Sequence, residues 1–481
     1  MNRPIDDFEV IVLGSGLGGL VAAAVLSKAG RRVLLLKEKG YESSCRREGY
    51  RFVPFSNFSE KCPKVSLLQR VSKDLGLSSP DGSPEPVLPK IFFQVILPGA
   101  RIDLFDDFSL LQEEWRREFP DELNQIRTAY DEFTGVLDLL ESRRNKEGSP
   151  HFPIAPRSLI RHCLSFLSLS RERRNETLSS LSKEFNELVH LQLMARGNFY
   201  PDALPFSLTA YLLLHGRQGG WISPTDPEEF EHGIVDAYLR WGGGVEEIEG
   251  VESVERKWRK GFTVIPEGES RVFQGRSLIL NAPLHTVTGL LGRCGKSLSK
   301  WLEKVHPRYL LFPVFLGIRD KAVPVGMGDL LVSMLDLQKP YEDGNVLLMA
   351  LSSRGDEAAA PEGHRALTIQ SLVPYTAMRN WNQVSFASHQ ESVMKHVNRL
   401  FPFLDRFLEL ADFDWARQQV RRWSYPLFLC EAVGEFDWRE GLVPNRLSKD
   451  LYFIGKECFP YLGLEGEVLS GLRVAQEMLE K

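Results

Sequence analysis

Hydrophobic and polar positions change rhythm several times along the 481 residues, and each change predicts an element. Phe8 to Leu13 is a short, partly β-branched apolar run, the pattern of a buried strand. Gly14 to Gly19 follows with four glycines, and then Leu20 to Ala29, whose alanines and leucines predict a helix. Gly30 stands just past that helix, where a C-terminus favours a residue without a Cβ. Val33 to Leu36 is a second apolar run. Strand, turn, helix and strand in this order open a doubly wound α/β sheet.

The rhythm then lengthens. Phe108 to Leu214 is charged and leucine-bearing and predicts mostly helices, with breaks at Ser149–Pro156 and Asn198–Pro205. A glycine patch at Gly216–Gly220 precedes a helix near Glu228–Trp241, which the run Gly242-Gly243-Gly244 ends. Val245–Ile248, Val251–Arg256, Phe262–Ile265 and Ser277–Leu280 predict short strands that include a meander. Tyr309–Ile318, Leu330–Leu337, Val346–Ser352 and Ala366–Val373 predict a second, antiparallel sheet. Gln390–Leu400 and Leu404–Leu410 predict helices. Strand Leu451–Ile454, a glycine-rich turn and a final helix to Lys481 close the chain.

Composition narrows the class. A hydrophobic share of 43% with 26% charged residues suits a folded globular chain, and the length predicts two or three domains. A net charge of −5 argues against a nucleic-acid binder, which needs a basic footprint. The six cysteines form no CxxC pair and the ten histidines no helical pair, so a reducing compartment and no metal are expected. The N-terminal residues carry Asp6, Asp7 and Glu9 rather than a basic and then apolar leader, and no apolar run reaches the roughly 20 residues of a membrane span. A cytoplasmic location with peripheral membrane contact is the expectation. Arg157–Arg174 is the membrane candidate: Leu159, Ile160, Cys163, Leu164, Phe166 and Leu167 make an apolar face flanked by arginines. The same pattern also suits a helix packed on the core.

The chemistry begins at Gly14-Ser15-Gly16-Leu17-Gly18-Gly19, a GxGxxG sequence between a predicted strand and a predicted helix. The first glycine permits the tight turn, the second lets backbone approach a pyrophosphate, and the third lets helix and strand close up. The helix N-terminus then offers free N–H groups to the anion. The fingerprint wants a carboxylate about 20 residues on to accept from a ribose hydroxyl. That place falls on Lys37, with Glu38 beside it. A lysine only donates, so either Glu38 serves or Lys37 meets a ribose 2′-phosphate.

With these residues the chain resembles the bacterial phytoene desaturases and carotenoid isomerases, within the amine-oxidase-like FAD superfamily. Three further segments carry the resemblance: Ala360-Pro361-Glu362-Gly363-His364, Ser277-Leu278-Ile279-Leu280-Asn281-Ala282, and Leu451–Glu457 with Gly463–Gly471. The resemblance implies a Rossmann-like FAD domain with an inserted α+β substrate domain. It implies FAD contacts at the loop, at Lys37 or Glu38, at Arg46, and at Gly455, Glu457, Leu464, Glu465 and Val468. In the family the last segment passes the ribityl and pyrophosphate, so Gly455 and Gly466 would permit close approach; Glu457 and Glu465 are the nearest groups for assistance. On this reading residues 1–100, 221–290 and 426–481 build the FAD domain, 101–220 a helical substrate or membrane-facing segment, and 291–425 the substrate sheet and helices.

The chain also departs from the family. Its Gly-Gly-Arg place reads Glu42-Ser43-Ser44-Cys45-Arg46-Arg47, where Arg46 or Arg47 could still meet a phosphate, and its Pro-x-Gly-Gly place reads Pro224-Thr225-Asp226-Pro227. The implied function is an FAD-dependent oxidoreductase that desaturates, saturates or isomerises carbon–carbon bonds of an isoprenoid lipid bound in an apolar channel. Two rivals share the fold: a flavin-lacking prenyl carrier resembling the Rab escort proteins, and an amine oxidase with Tyr425 and Tyr461 as an aromatic cage.

Overall fold

The computed structural model describes residues 5–41, 44–54, 67–77, 93–105, 107–146, 176–197, 199–201, 204–215, 227–257, 261–291, 296–378, 382–419, 422, 428–432 and 441–480. The Arg157–Arg174 segment, Gly216–Gly220, Pro224–Asp226 and Tyr425 lie outside the described residues.

Two sheets organise the chain. The first runs in the order 446–448, 451–453, 272–280, 5–13, 33–38, 244–248. Strand Ile5–Leu13 lies at its centre, parallel to both Val33–Glu38 and Val272–Leu280. Its Val10–Leu13 stretch is fully buried, as an apolar run between two parallel neighbours requires. Strands Val251–Lys257 and Gly261–Pro266 complete the meander into Val272–Leu280. Helix Leu17–Lys28 crosses over to Val33, and Gly30 takes φ +83 behind it.

The final helix, Gly463–Leu479, crosses helix Leu17–Lys28 without a side chain between them. A Cβ on Gly471 would stand 2.2 Å from the Gly18 carbonyl oxygen, and one on Gly18 2.5 Å from that of Glu467. The contact is backbone on backbone, which only glycine permits.

The second sheet has the order 408–412, 305–319, 364–374, 346–351, 330–334, 93–96, 101–104, with 428–432 also on strand 305–319. It is antiparallel except where Leu330–Met334 meets Phe93–Ile96. Strand Val305–Arg319 is buried on both faces over Tyr309–Ile318. Phe312 points to helix Gln383–Leu400, where it meets Phe386 and His389. Phe315 points the other way and stacks on Phe52 at 4.9 Å. The strand period of two thus gives each face its own partner.

Three expectations shift. Residues 93–100 belong to the second sheet, because strand Phe93–Ile96 finds its partner at Leu331–Ser333. Residues 428–432 join that sheet too, so the lines drawn at 100 and 425 do not mark the change of sheet. Leu404–Leu410 is helical only over Leu404–Phe407, and Leu408–Asp412 continues as an edge strand because its backbone pairs with Phe315–Ile318. No helix among the described residues is long and apolar enough to cross a membrane.

Candidate flavin site

The carboxyl ends of four strands converge on the glycine loop, stitched by backbone hydrogen bonds. Gly14 N–H donates to Leu36 O at 2.9 Å, Asn281 N–H to Leu13 O at 2.8 Å, and Ile454 N–H to Leu280 O at 2.8 Å. Ligands of open α/β sheets bind at this edge, where the strand order reverses. Gly14 holds φ +106, and a Cβ there would lie 2.0 Å from Asn281 O. Gly16 caps helix Leu17–Lys28 and makes no side-chain capping bond, so the N–H groups of the first turn face outward from a bare terminus. Ser15 and Leu17 are buried beside it.

Asn281 fills the floor of the loop. Its Oδ1 would lie 2.8 Å from a Cβ on Gly16 and 2.5 Å from one on Gly19, while its Nδ2 donates to Ile454 O at 2.8 Å. The glycines therefore leave room for this side chain as well as for a phosphate. Asn281 belongs to the Ser277–Ala282 segment that carries the family resemblance, but it is not singled out there as a site residue. Its signals are that motif and an amide directly after an apolar strand.

Lys37 and Glu38 part company through the pleat. Lys37 Nζ lies 3.8 Å from Glu247 Oε1, across the neighbouring strand, and is one-third exposed. Glu38 is 4% exposed and its Oε1 lies 3.9 Å from Arg422 Nη1. Arg46 stands exposed on the two-stranded ribbon Cys45–Arg47 with Tyr50–Phe52, which packs through Tyr50 and Phe52 on the second sheet.

The C-terminal segment supplies the other wall. Gly455 is buried, and a Cβ there would meet Glu457 Oε2 at 2.8 Å. Glu457 Oε1 accepts from Leu284 N–H at 2.9 Å, which ties the segment to the chain leaving strand Val272–Leu280. Burial raises the Glu457 carboxyl above its ordinary range. Gly466 faces Phe459 O, Val468 is buried, and Leu464 is half-buried. Glu465 has an architectural duty: its Oε1 accepts from Leu67 N–H at 3.2 Å, at the start of helix Leu67–Leu75.

Beside Glu457 the two sheets meet. Burial, and then the neighbouring Glu457, push the Cys430 thiol well above its usual value. Phe199 bridges to Cys430, and Tyr200 N–H donates to Cys430 O at 2.7 Å. His285 packs edge-on against Phe428 at 5.0 Å, and burial lowers its imidazole to about 4. Tyr461 is buried against Gly197 rather than standing in an open cage. Among the described residues no group of three His, Cys, Asp or Glu side chains is placed to hold a metal.

Comparison with known proteins follows the same geometry. The family described as FAD binding domain matches residues 9–57, and flavin containing amine oxidoreductase matches residues 338–479. The inactive all-trans-retinol 13,14-reductase of Danio rerio is 44% identical over 90% of this chain and 75% of its own length. This chain belongs to the FAD-dependent amine oxidase and phytoene desaturase-like superfamily. Another member, the chloroplastic prolycopene isomerase of Arabidopsis thaliana, is 22% identical over 98% of this chain and 82% of its own. The all-trans-retinol 13,14-reductase of Homo sapiens is 24% identical over 53% of this chain and 43% of its own, so the match spans less than half of that relative. A putrescine oxidase structure shares the fold at a TM-score of 0.67 and 13% identity, covering 99% of this chain and all of that one.

The cofactor of this superfamily member is FAD. The residues fit it on structural grounds: a bare helix terminus behind bent glycines suits the pyrophosphate, and two buried polar atoms, Asn281 Oδ1 and Glu457 Oε2, have no hydrogen-bond partner among the described residues.

Proposed function

We propose that the protein is an FAD-dependent oxidoreductase that saturates a carbon–carbon double bond in a conjugated, isoprenoid-like polyene. The observation that carries this reading is the 44% identity over 90% of the chain to a protein named for retinol reduction. That relative is named inactive, so turnover is part of the proposal rather than of the membership. Isomerisation is the second reading, favoured by the match to prolycopene isomerase over 98% of this chain.

The chemistry of the junction supports an uncharged substrate. At neutral pH His285 is neutral and Cys430 stays a thiol, and burial raises the Glu457 carboxyl above its ordinary range. Beyond them stand Phe428, Tyr375 and the buried strand Tyr309–Ile318. Burying a polyene against such walls is favourable by about 25 cal/mol per Å². FAD, when bound, supplies the two-electron chemistry. This chain's residues hold the nucleotide at the glycine loop, align the apolar chain and exclude water. Peripheral membrane contact would bring such a substrate to the site.

The test incubates the FAD-loaded, anaerobically reduced protein with all-trans-retinol and follows ultraviolet absorption and product mass. Saturation shortens the conjugated system and adds two hydrogens. Isomerisation leaves the mass unchanged and moves the chromatographic peak. An unaltered polyene with a fully loaded protein contradicts both.

A further inference from the structure

The adenosine end of the nucleotide site has a residue that neither cofactor segment supplies. Pyrophosphate at the glycine loop leaves the adenosine half to extend toward strand Val33–Glu38, which lies beside the central strand. Where that strand ends, Glu38 pairs in register with Ile248, and Lys39 N–H donates to Ile248 O at 2.8 Å. The chain then turns, with Gly40 at φ +67 and Tyr41 N–H donating to Glu38 O at 3.2 Å. Lys37 leans on Glu247, so Glu38 is the one of the two that turns inward.

Arg422 meets this turn at three consecutive residues. Its Nη1 donates to Lys39 O at 2.7 Å and lies 3.9 Å from Glu38 Oε1, and its Nη2 would lie 3.1 Å from a Cβ on Gly40. Gly40 thus serves the approach of the guanidinium as well as the positive φ. Arg422 arrives from the side of the second sheet. Its N–H donates to Gln419 O at 2.9 Å, at the end of helix Asp414–Gln419, whose Trp415 packs on Phe315 at 5.3 Å. It stands outside both the glycine loop and the C-terminal segment.

The chemistry of the corner gives the arrangement a use. A buried carboxylate is costly unless a cation compensates it. At 3.9 Å Arg422 supplies that charge without spending a hydrogen bond on Oε1. The bond goes to Lys39 O instead and fixes the guanidinium. A carboxylate balanced and aimed in this way accepts from a ribose hydroxyl. A ribose 2′-phosphate on Arg422 would instead stand beside the buried Glu38, like charge against like.

We propose that Arg422 is a positioning residue for the adenosine end: it holds the turn Glu38–Gly40 so that the Glu38 carboxylate accepts from the ribose 2′-hydroxyl, and it thereby selects an unphosphorylated ribose. The proposal rests on the FAD reading of the site. The family resemblance implies the Glu38 contact; Arg422 is the added residue, and it acts through Glu38 rather than on the nucleotide.

The experiment titrates the apo protein by calorimetry with ADP and 2′-deoxy-ADP, in the wild type, Arg422→Leu, Arg422→Gln and Glu38→Leu. The wild type is expected to prefer ADP by about tenfold or more, the scale of one hydrogen bond to a charged group. Arg422→Leu is expected to cut that preference below about threefold while 2′-deoxy-ADP stays within about twofold of its wild-type affinity, and Glu38→Leu to do the same. A preference retained in Arg422→Leu overturns the proposal. So does an equal loss of both ligands, which marks a purely structural arginine. Should Arg422→Leu fail to fold, Arg422→Gln decides: it keeps an N–H for Lys39 O without the charge, and a preference as large as the wild type's overturns the proposal. A wild type that binds adenosine 2′,5′-bisphosphate more tightly than AMP gives Arg422 to a phosphate and overturns it too. A wild type that binds FAD and ADP but does not distinguish 2′-deoxy-ADP overturns the proposal alone. One that binds neither FAD nor ADP sinks the FAD reading itself, and the proposal with it.

Discussion

At the scale of single residues, the glycines of the loop carry different burdens. Gly14 combines φ +106 with a carbonyl oxygen 2.0 Å from any added Cβ, whereas Gly30 has φ +83 and open space around it. Gly14→Ala is therefore expected to destabilise the fold by at least about 3 kcal/mol, and Gly30→Ala by only about 1 kcal/mol of backbone strain. Urea unfolding of the two variants checks the contrast, and equal costs contradict it. The loop itself was legible because GxGxxG needs only local spacing. The contact with its partner Asn281 was not, since it joins positions more than 260 apart in the chain, and the motif around Asn281 does not say that its side chain lies under the loop. Lys37 and Glu38 stayed undivided for a related reason: which of two adjacent strand residues turns inward depends on the neighbours, here Glu247 for Lys37 and Arg422 for Glu38.

At the scale of elements, helix Gln383–Leu400 is pinned to the second sheet by two buried histidines. His389 Nε2 lies 2.8 Å from Ser371 Oγ, and His396 bridges Gly344 O at 2.8 Å and Ser333 Oγ at 2.9 Å. Burial lowers both imidazoles to about 4 from an ordinary 6.5, and His285 shares that fate. The unfolded chain therefore binds protons that the fold refuses. The stability these groups contribute is complete above pH 6.5 and is lost as pH falls toward 4. Glu457 acts in the opposite sense, since its raised carboxyl makes the fold lose stability as pH rises above the ordinary carboxylate range. A urea midpoint that falls between pH 7.5 and pH 5, with a shallower slope in a His389→Gln, His396→Gln double variant, is the expected result; each histidine is worth up to about 2 kcal/mol over that range. A midpoint that stays level or rises on acidification contradicts it. Sequence rhythm found this helix and the strands beneath it. It misread Leu408–Leu410 as helix, because a three-residue stretch has no period of its own and its conformation is set by pairing with Phe315–Ile318.

At the scale of the whole molecule, two sheets are joined where Cys430, Glu457, His285 and Tyr200 meet. Alternation of chain between the sheets makes that junction: strands 93–96, 101–104 and 428–432 lie in sequence between strands of the first sheet but pair into the second. Linear boundaries in the sequence cannot express such exchange, which is why most strands were assigned to the right sheet while residues 93–104 and 428–432 were not. The central claim is that this junction serves a bound flavin. The most direct measurement is the visible absorption spectrum of the purified protein, before and after titration of the apo form with FAD. The account predicts a flavin spectrum that stays with the protein through gel filtration, at one FAD per chain. A protein that remains colourless after incubation with excess FAD contradicts it.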